Sequence, residues 1–288
     1  MCELNDNYPS AKLHRAALLA ELSKQEELGW MLPMTLRVAQ QRYGTISVAP
    51  LAVIEESAGK TRTLHDATNG VRINHRIKVL DAEMCPSAID VQGAFTADAG
   101  LVGPIVALVV DVEKAHRRVP LDERDWGHVA CSPDPMPTGP GKGDWLVYVN
   151  TVGAYGVASA SWQWARLSSL FQRVAYYTCG LAYLFRYADD FLALSVNRGG
   201  VRFSRPLLRF IVLCNLLGFP LKWAKTRGGL HCEFVGYAFD FEKLVGGISE
   251  KRTAWLCNWA RRAARDGVVV TRDGKAALGR FSHSLPRC

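Results

Sequence analysis

Between residues 11 and 42, Leu18, Leu19, Leu22 and Leu28 recur among Lys, Glu and Gln at helical spacing, so the segment is predicted to be helical. The pattern then changes. Residues 45–66 read as two strands joined by the turn Glu55-Glu56-Ser57-Ala58-Gly59-Lys60, a hairpin with basic residues near its tip, and Asn69-Gly70 marks another turn. Pro104 to Val110 is a continuous apolar run ending in Asp111, which suits a strand buried on both faces, with a turn or short helix over 112–119. Segment 121–144 is rich in Pro, Gly and Asp and is predicted to be a surface loop. A strand over 145–152 precedes a long helix over 158–178, whose stripe of Trp162, Trp164, Leu167, Leu170 and Phe171 is expected to be mostly core. Tyr183 to Leu194 reads as strand, turn, strand, and 204–218 as a helix. Ser249 is placed to cap a final helix that carries Trp255, Leu256, Trp259 and Ala263, with Lys251, Arg252, Arg261, Arg262 and Arg265 at its other positions.

One pair of residues breaks this pattern. Asp189-Asp190 interrupts the apolar, aromatic run Tyr183-Leu184-Phe185-Arg186-Tyr187-Ala188-Asp189-Asp190-Phe191-Leu192. Carboxylates in such surroundings are costly unless something positive answers them. Asp111, at the end of a strand expected to be central, supplies a third acid. Three hard oxygen donors suit Mg²⁺ or Mn²⁺, and two such ions about 3.5–4 Å apart clamp the attacking and leaving oxygens of a phosphoryl transfer. The order strand, helix, strand, strand, helix is a split βαβ pattern and predicts an α+β fold.

These residues carry a resemblance. Tyr187-Ala188-Asp189-Asp190 resembles the signature of reverse transcriptases, and Asp111 sits where their first acid sits. Between them, Tyr155-Gly156-Val157-Ala158-Ser159 resembles the glycine-bearing motif under template and nucleotide. Leu217 to Thr226 resembles the lysine-bearing motif, Glu233-Phe234-Val235-Gly236-Tyr237 the primer grip, and Gly59-Lys60-Thr61-Arg62 to Asp66 the strand that holds the triphosphate. Six blocks stand in the family's order over residues 50 to 240, in the wording of a divergent retroelement branch. The resemblance implies a right-hand polymerase. It assigns 1–44 to an N-terminal helical segment, 45–103 to fingers, 104–240 to a palm with the loop 121–144, and 241–288 to the start of a thumb. It also implies an enzyme, an RNA-directed DNA polymerase that adds dNTPs to a primer 3′-hydroxyl on an RNA or DNA template. Asp111, Asp189, Asp190 and the Val112 carbonyl would hold two Mg²⁺ or Mn²⁺ ions. Lys225, with Lys222 as its rival, would protonate the leaving pyrophosphate. Lys60, Arg62, His116, Gly156 and Tyr187 would meet the nucleotide; Phe234, Gly236, Tyr237, Lys251 and Arg252 would meet primer and template.

The chain departs from the family at His116, five residues past Asp111, where the family carries Phe or Tyr against the ribose 2′-hydroxyl. The proline after the small residues of the Gly156 motif is also missing. Two rivals stand beside the polymerase reading: an RNA-dependent RNA polymerase, and a non-catalytic, nucleic-acid-binding retroelement remnant. Composition fits a polyanionic partner: the formal charge is +8 over 288 residues, and 49% are apolar, too many for a disordered chain. The eight cysteines form no C-x-x-C pair and are expected to be reduced core thiols of an intracellular protein, nuclear or cytoplasmic. His231 has no partner at ligand spacing. A Walker A reading of Gly59-Lys60-Thr61 fails because Ile54 stands where its first glycine belongs. No apolar run is long enough for a membrane span and no signal peptide is expected; oligomeric state is open.

Overall fold

The first helical segment stops earlier than its leucine stripe predicts. Gly29 adopts φ 69°, a conformation that costs other residues a Cβ clash, and Met31-Leu32-Pro33-Met34-Thr35 then runs as a strand. Leu18 and Leu22 are buried as expected, but Leu28, beyond the last helical turn, is exposed. The strand is held by a partner more than a hundred residues away, pairing Met31 with Asn150 and Thr35 with Leu146.

The computed structural model describes residues 2–56, 61–81, 83–97, 104–196 and 205–284. In chain order the first elements are β1 (Cys2–Leu4), α1 (Pro9–Leu13), α2 (Arg15–Glu27), β2 (Met31–Thr35), α3 (Leu36–Tyr43), β3 (Ile46–Ala49), β4 (Leu51–Glu55), β5 (Thr61–His65), α4 (Ala88–Ala97) and β6 (Ile105–Asp111). There follow β7 (Ala130–Cys131), β8 (Leu146–Asn150), α5 (Ala158–Cys179), β9 (Tyr183–Tyr187), β10 (Asp190–Val196), α6 (Arg205–Leu216), β11 (Arg227–Gly229), β12 (His231–Phe234), β13 (Tyr237–Asp240), β14 (Val245–Ile248), α7 (Glu250–Asp266) and α8 (Thr271–Ser284). They form two compact units, Met1–Glu83 with Lys114–Ser168, and Met84–Glu113 with Ser169–Cys288.

The first unit holds a five-stranded sheet in the order β1-β3-β7-β8-β2 and the separate ribbon β4-β5. Pro50 parts β3 from β4, so what reads as one strand serves two sheets. Leu36, Ala39, Ile46, Val48, Val147 and Val149 fill one core cluster, and Leu18, Leu22, Met31, Leu51 and Cys131 another. The segment 121–144 is not simply a surface loop. Glu123–Val129 forms a 3₁₀ helix, and Val129, Ala130, Cys131 and Ser132 are buried, with β7 paired to both β3 and β8. Two paired residues give no periodicity, so sequence pattern alone does not reveal such a strand.

The second unit holds a four-stranded antiparallel sheet, β11-β6-β10-β9, and a three-stranded sheet, β12-β13-β14. β6 lies between β11 and β10, in keeping with its apolar run. Phe171 of α5 stacks on Phe219 at 4.2 Å and meets Phe191 of β10 edge-on at 5.6 Å. Leu170, predicted as core, is 60% exposed one position away. Trp162, in the first unit, is only partly buried: its indole N–H donates to Asp81, and Arg166 lies over its ring at 4.6 Å. Ser249 has the extended backbone of a helix cap, yet its side chain makes no capping bond. Of the α7 stripe only Leu256 is buried; Trp255 instead carries the guanidinium of Arg280, from α8, over its ring at 3.7 Å. Cys131, Cys179, Cys214 and Cys232 are buried free thiols, whereas Cys85 and Cys257 are exposed.

Candidate active site

β6 and β10 run antiparallel with Asp111 directly opposite Asp190. Residues facing each other across such a pair project to the same side of the sheet, so the register alone brings these two acids together. Asp190 also pairs with Tyr187, which closes the β9–β10 turn over Ala188 and Asp189. Ala188 takes φ 52°, and the Val112 N–H donates to the Asp189 carbonyl at 3.1 Å, tying the turn to the end of β6. All three acids thus belong to one edge of the second unit. Their oxygens do not all approach within 4.8 Å of one another; among the described residues only His231, Asp240 and Glu242 form so tight a three-ligand group.

The electrostatics of this edge are unbalanced. Burial pushes the Asp190 carboxyl up to about 6, and the charges of Asp189 and Asp111 push the same way, against Lys225 and Lys222. Asp111 is buried, and its Oδ1 accepts no hydrogen bond from any described residue. Lys225 Nζ donates to the other oxygen, Oδ2, at 2.5 Å, and Lys222 Nζ stands 3.7 Å from Oδ1. The Asp111 bond raises the Lys225 ammonium above the ordinary lysine value. Sequence reading left Lys222 and Lys225 as rivals; the fold brings both to the same carboxylate. A buried carboxylate oxygen without a donor, next to an acid that resists ionisation, fits a divalent cation held by hard oxygen ligands.

No family model and no curated protein matches this chain. Among solved structures it is similar to a foamy viral protease-reverse transcriptase in complex with double-stranded DNA, with a TM-score of 0.64 at 14% identity. The match covers 97% of this chain and 42% of that one, so this chain spans less than half of the viral chain's length. The fold is reverse-transcriptase-like.

The other residues expected in a reverse-transcriptase-like site are distributed as follows. Lys60 lies outside the described residues. Arg62, His116 and Gly156 belong to the first unit. Arg62, on β5, pairs with Glu56 at 2.7 Å, both exposed enough to exchange partners. His116 meets Tyr155 edge-on at 5.1 Å. Gly156 was expected to make room for a ligand; the neighbour that excludes a Cβ there is the His65 carbonyl oxygen, and φ 99° adds a second reason for glycine. His65 itself is buried, and burial drives its imidazole down to about 4, so it is neutral; neither ring nitrogen has a hydrogen-bond partner among the described residues.

In the second unit Tyr187 is half-buried beside Asp190. Phe234 and Tyr237, expected against primer, are buried in the core with Phe239 and Phe241. They flank the tight turn Val235-Gly236, at φ 52° and 79°. The hairpin tip is half-buried, and a Cβ on Gly236 would overlap the Arg252 guanidinium. Arg252 also lies 5.8 Å over the Tyr237 ring, while Lys251 beside it is exposed. Val112 is buried and bridges to Leu221. Antiparallel pairing supplies His231 with the partners that sequence spacing lacks: it faces Asp240 at 3.2 Å, near Glu242.

Proposed function

We propose that this chain is a reverse-transcriptase-like polymerase that adds nucleotides to a primer 3′-hydroxyl on an RNA or DNA template. The observation that carries the reading is the placement of Asp111 opposite Asp190 on one sheet face, with Asp189 at the adjoining turn and two lysines on Asp111. Asp111, Asp189, Asp190 and the Val112 carbonyl would hold Mg²⁺ or Mn²⁺. Such ions supply a lowered pKa for the attacking hydroxyl and charge neutralisation for the leaving pyrophosphate. Lys225 remains an ammonium at neutral pH, because its bond to Asp111 favours the charged form, and is a proton source for that leaving group. Arg62, whose ion pair with Glu56 is exposed, would clamp triphosphate oxygens in bidentate fashion. Lys251 and Arg252 at the start of α7 would meet the phosphate backbone.

The test is extension of a labelled DNA primer on an RNA template with Mn²⁺, run in parallel with dNTPs and with rNTPs. Extension with dNTPs supports the proposal. Extension with rNTPs alone makes the chain an RNA polymerase. Template–primer binding without extension in either arm makes it a non-catalytic remnant.

A further inference from the structure

The lysines at 222 and 225 are attached to the acid edge more firmly than their flexible side chains require. The Lys222 N–H donates to the Asp111 carbonyl at 2.9 Å, just past the bridge between Val112 and Leu221. From there Trp223–Lys225 winds as a 3₁₀ turn, closed by the Lys225 N–H on the Lys222 carbonyl at 2.8 Å. Lys222 caps this turn and Lys225 ends it, and both ammonium groups reach the side that holds Asp111. One reaches Oδ2 at 2.5 Å and the other comes within 3.7 Å of Oδ1, so each carboxylate oxygen faces its own cation.

We propose that Lys222 and Lys225 form a charge clamp that competes with divalent metal for Asp111 and yields it when a triphosphate arrives. This rests on the polymerase reading of the same site. A cation binding Asp111 takes either the undonated Oδ1, 3.7 Å from the Lys222 ammonium, or Oδ2, which the Lys225 ammonium holds; at either oxygen it meets a positive charge. Both lysines are substantially exposed, at 60% and 44%, while the Asp111 side chain is 8% exposed. Solvent therefore screens the ammonium ends and makes them cheap to move, whereas the carboxylate stays where the sheet puts it. A polyphosphate offers the two ammoniums a richer set of anionic oxygens than one carboxylate does. Its arrival moves them off Asp111 and opens that carboxylate to the metal. Metal and nucleotide then enter as a coupled pair, and the free protein is protected from holding metal idly on its acids.

The test is Mn²⁺ binding by the full chain without nucleotide, followed by loss of the free-ion electron paramagnetic resonance signal. Wild type, Lys225→Ala, Lys225→Gln and the double variant Lys222→Ala/Lys225→Ala are compared, each with and without Asp111→Asn. The Asp111-dependent site is expected to bind Mn²⁺ about tenfold more tightly in either Lys225 variant, and more tightly again in the double variant. Unchanged or weaker Asp111-dependent binding in all three overturns the clamp while leaving the metal site intact. Mn²⁺ binding that Asp111→Asn does not alter in any background overturns the metal site itself, and the clamp with it. Added dATP is expected to raise Mn²⁺ affinity beyond the direct Mn²⁺–dATP complex in wild type more than in the double variant; equal enhancement in both also overturns the clamp.

Discussion

Two buried charges in this molecule are met by different kinds of partner. In the first unit Arg117 is 3% exposed; both its terminal nitrogens are answered by neutral acceptors of the fold, while its Nε has no hydrogen-bond partner among the described residues. Its Nη1 donates to Asn150 Oδ1 at 2.6 Å and to the Gly153 carbonyl at 3.1 Å; its Nη2 donates to Gln25 and to the Trp30 carbonyl. The Trp30 ring lies 5.6 Å away, and Asn150 and Gln25 are themselves fixed by Val129 and Glu21. Burial draws the guanidinium down to about 10, still charged at neutral pH. In the second unit Asp111 is nearly as buried and faces two lysines, but its Oδ1 accepts no hydrogen bond among the described residues, and its neighbour Asp190 is driven toward the neutral acid. Arg117 is thus held by neutral acceptors that are fixed parts of the fold, whereas Asp111 is held by ammonium groups that solvent reaches. Asp190, crowded by the other two acids, is left with a deficit of positive charge, which under the polymerase proposal a bound metal would relieve.

That contrast is broken or sharpened by substitution. The largest effect is expected in activity at the acid edge: Asp189→Asn should cut primer extension at least about a thousandfold, roughly 4 kcal/mol, while the far-ultraviolet circular dichroism stays that of wild type. Unchanged turnover in a folded variant removes Asp189 from the chemistry. Next comes Arg117→Met, expected to lower unfolding free energy by about 3 kcal/mol, because it strands buried acceptors on Asn150, Gly153 and Gln25. The urea midpoint reads this directly, and a loss below about 1 kcal/mol means the node is not the anchor described.

A smaller effect, of opposite sign, is expected at Asp190. Its folded carboxyl titrates near 6, above the ordinary aspartate value, so the folded state holds this proton more tightly than the unfolded chain does. The stabilising contribution is present below about pH 4 and is lost as pH rises through about 6. Asp190→Asn removes the loss. It should stabilise the metal-free protein by about 1–2 kcal/mol at pH 7, allowing for solvent screening, and have little effect at pH 4. A variant less stable than wild type at both pH values contradicts the charge deficit. The smallest effect concerns sugar choice. Under the polymerase proposal, His116→Phe should raise the ratio of kcat/KM for dNTP over rNTP by about fivefold, near 1 kcal/mol, by rejecting rNTP. An unchanged ratio moves the selection to another residue.

The acids were legible in the sequence because they interrupt runs whose apolar character is otherwise unbroken, and because strand pairing, once assumed, forces Asp111 and Asp190 onto one face. The lysine clamp was only half legible. Lys222 and Lys225 lie more than a hundred residues from Asp111, and nothing in Lys-Trp-Ala-Lys announces a 3₁₀ turn in place of an α-helical one. The strand Met31–Thr35 was hidden for a related reason: no alternation marks it, and its partner is distant. Glycine and aromatic motifs say less about what surrounds them. Phe234 packs in a hydrophobic core, and Gly156, though exposed, has the His65 carbonyl where a Cβ would stand. Residue type signals close approach or burial; only the fold tells what approaches.

The most direct test of the central claim is the position of metal in crystals grown with Mn²⁺ and dATP. An anomalous difference map should place its strongest peak between the carboxylates of Asp111 and Asp189, beside Asp190, with the Lys225 ammonium withdrawn from Asp111. A map whose only peak lies at His231, Asp240 and Glu242, with Lys225 still on Asp111, would contradict the account.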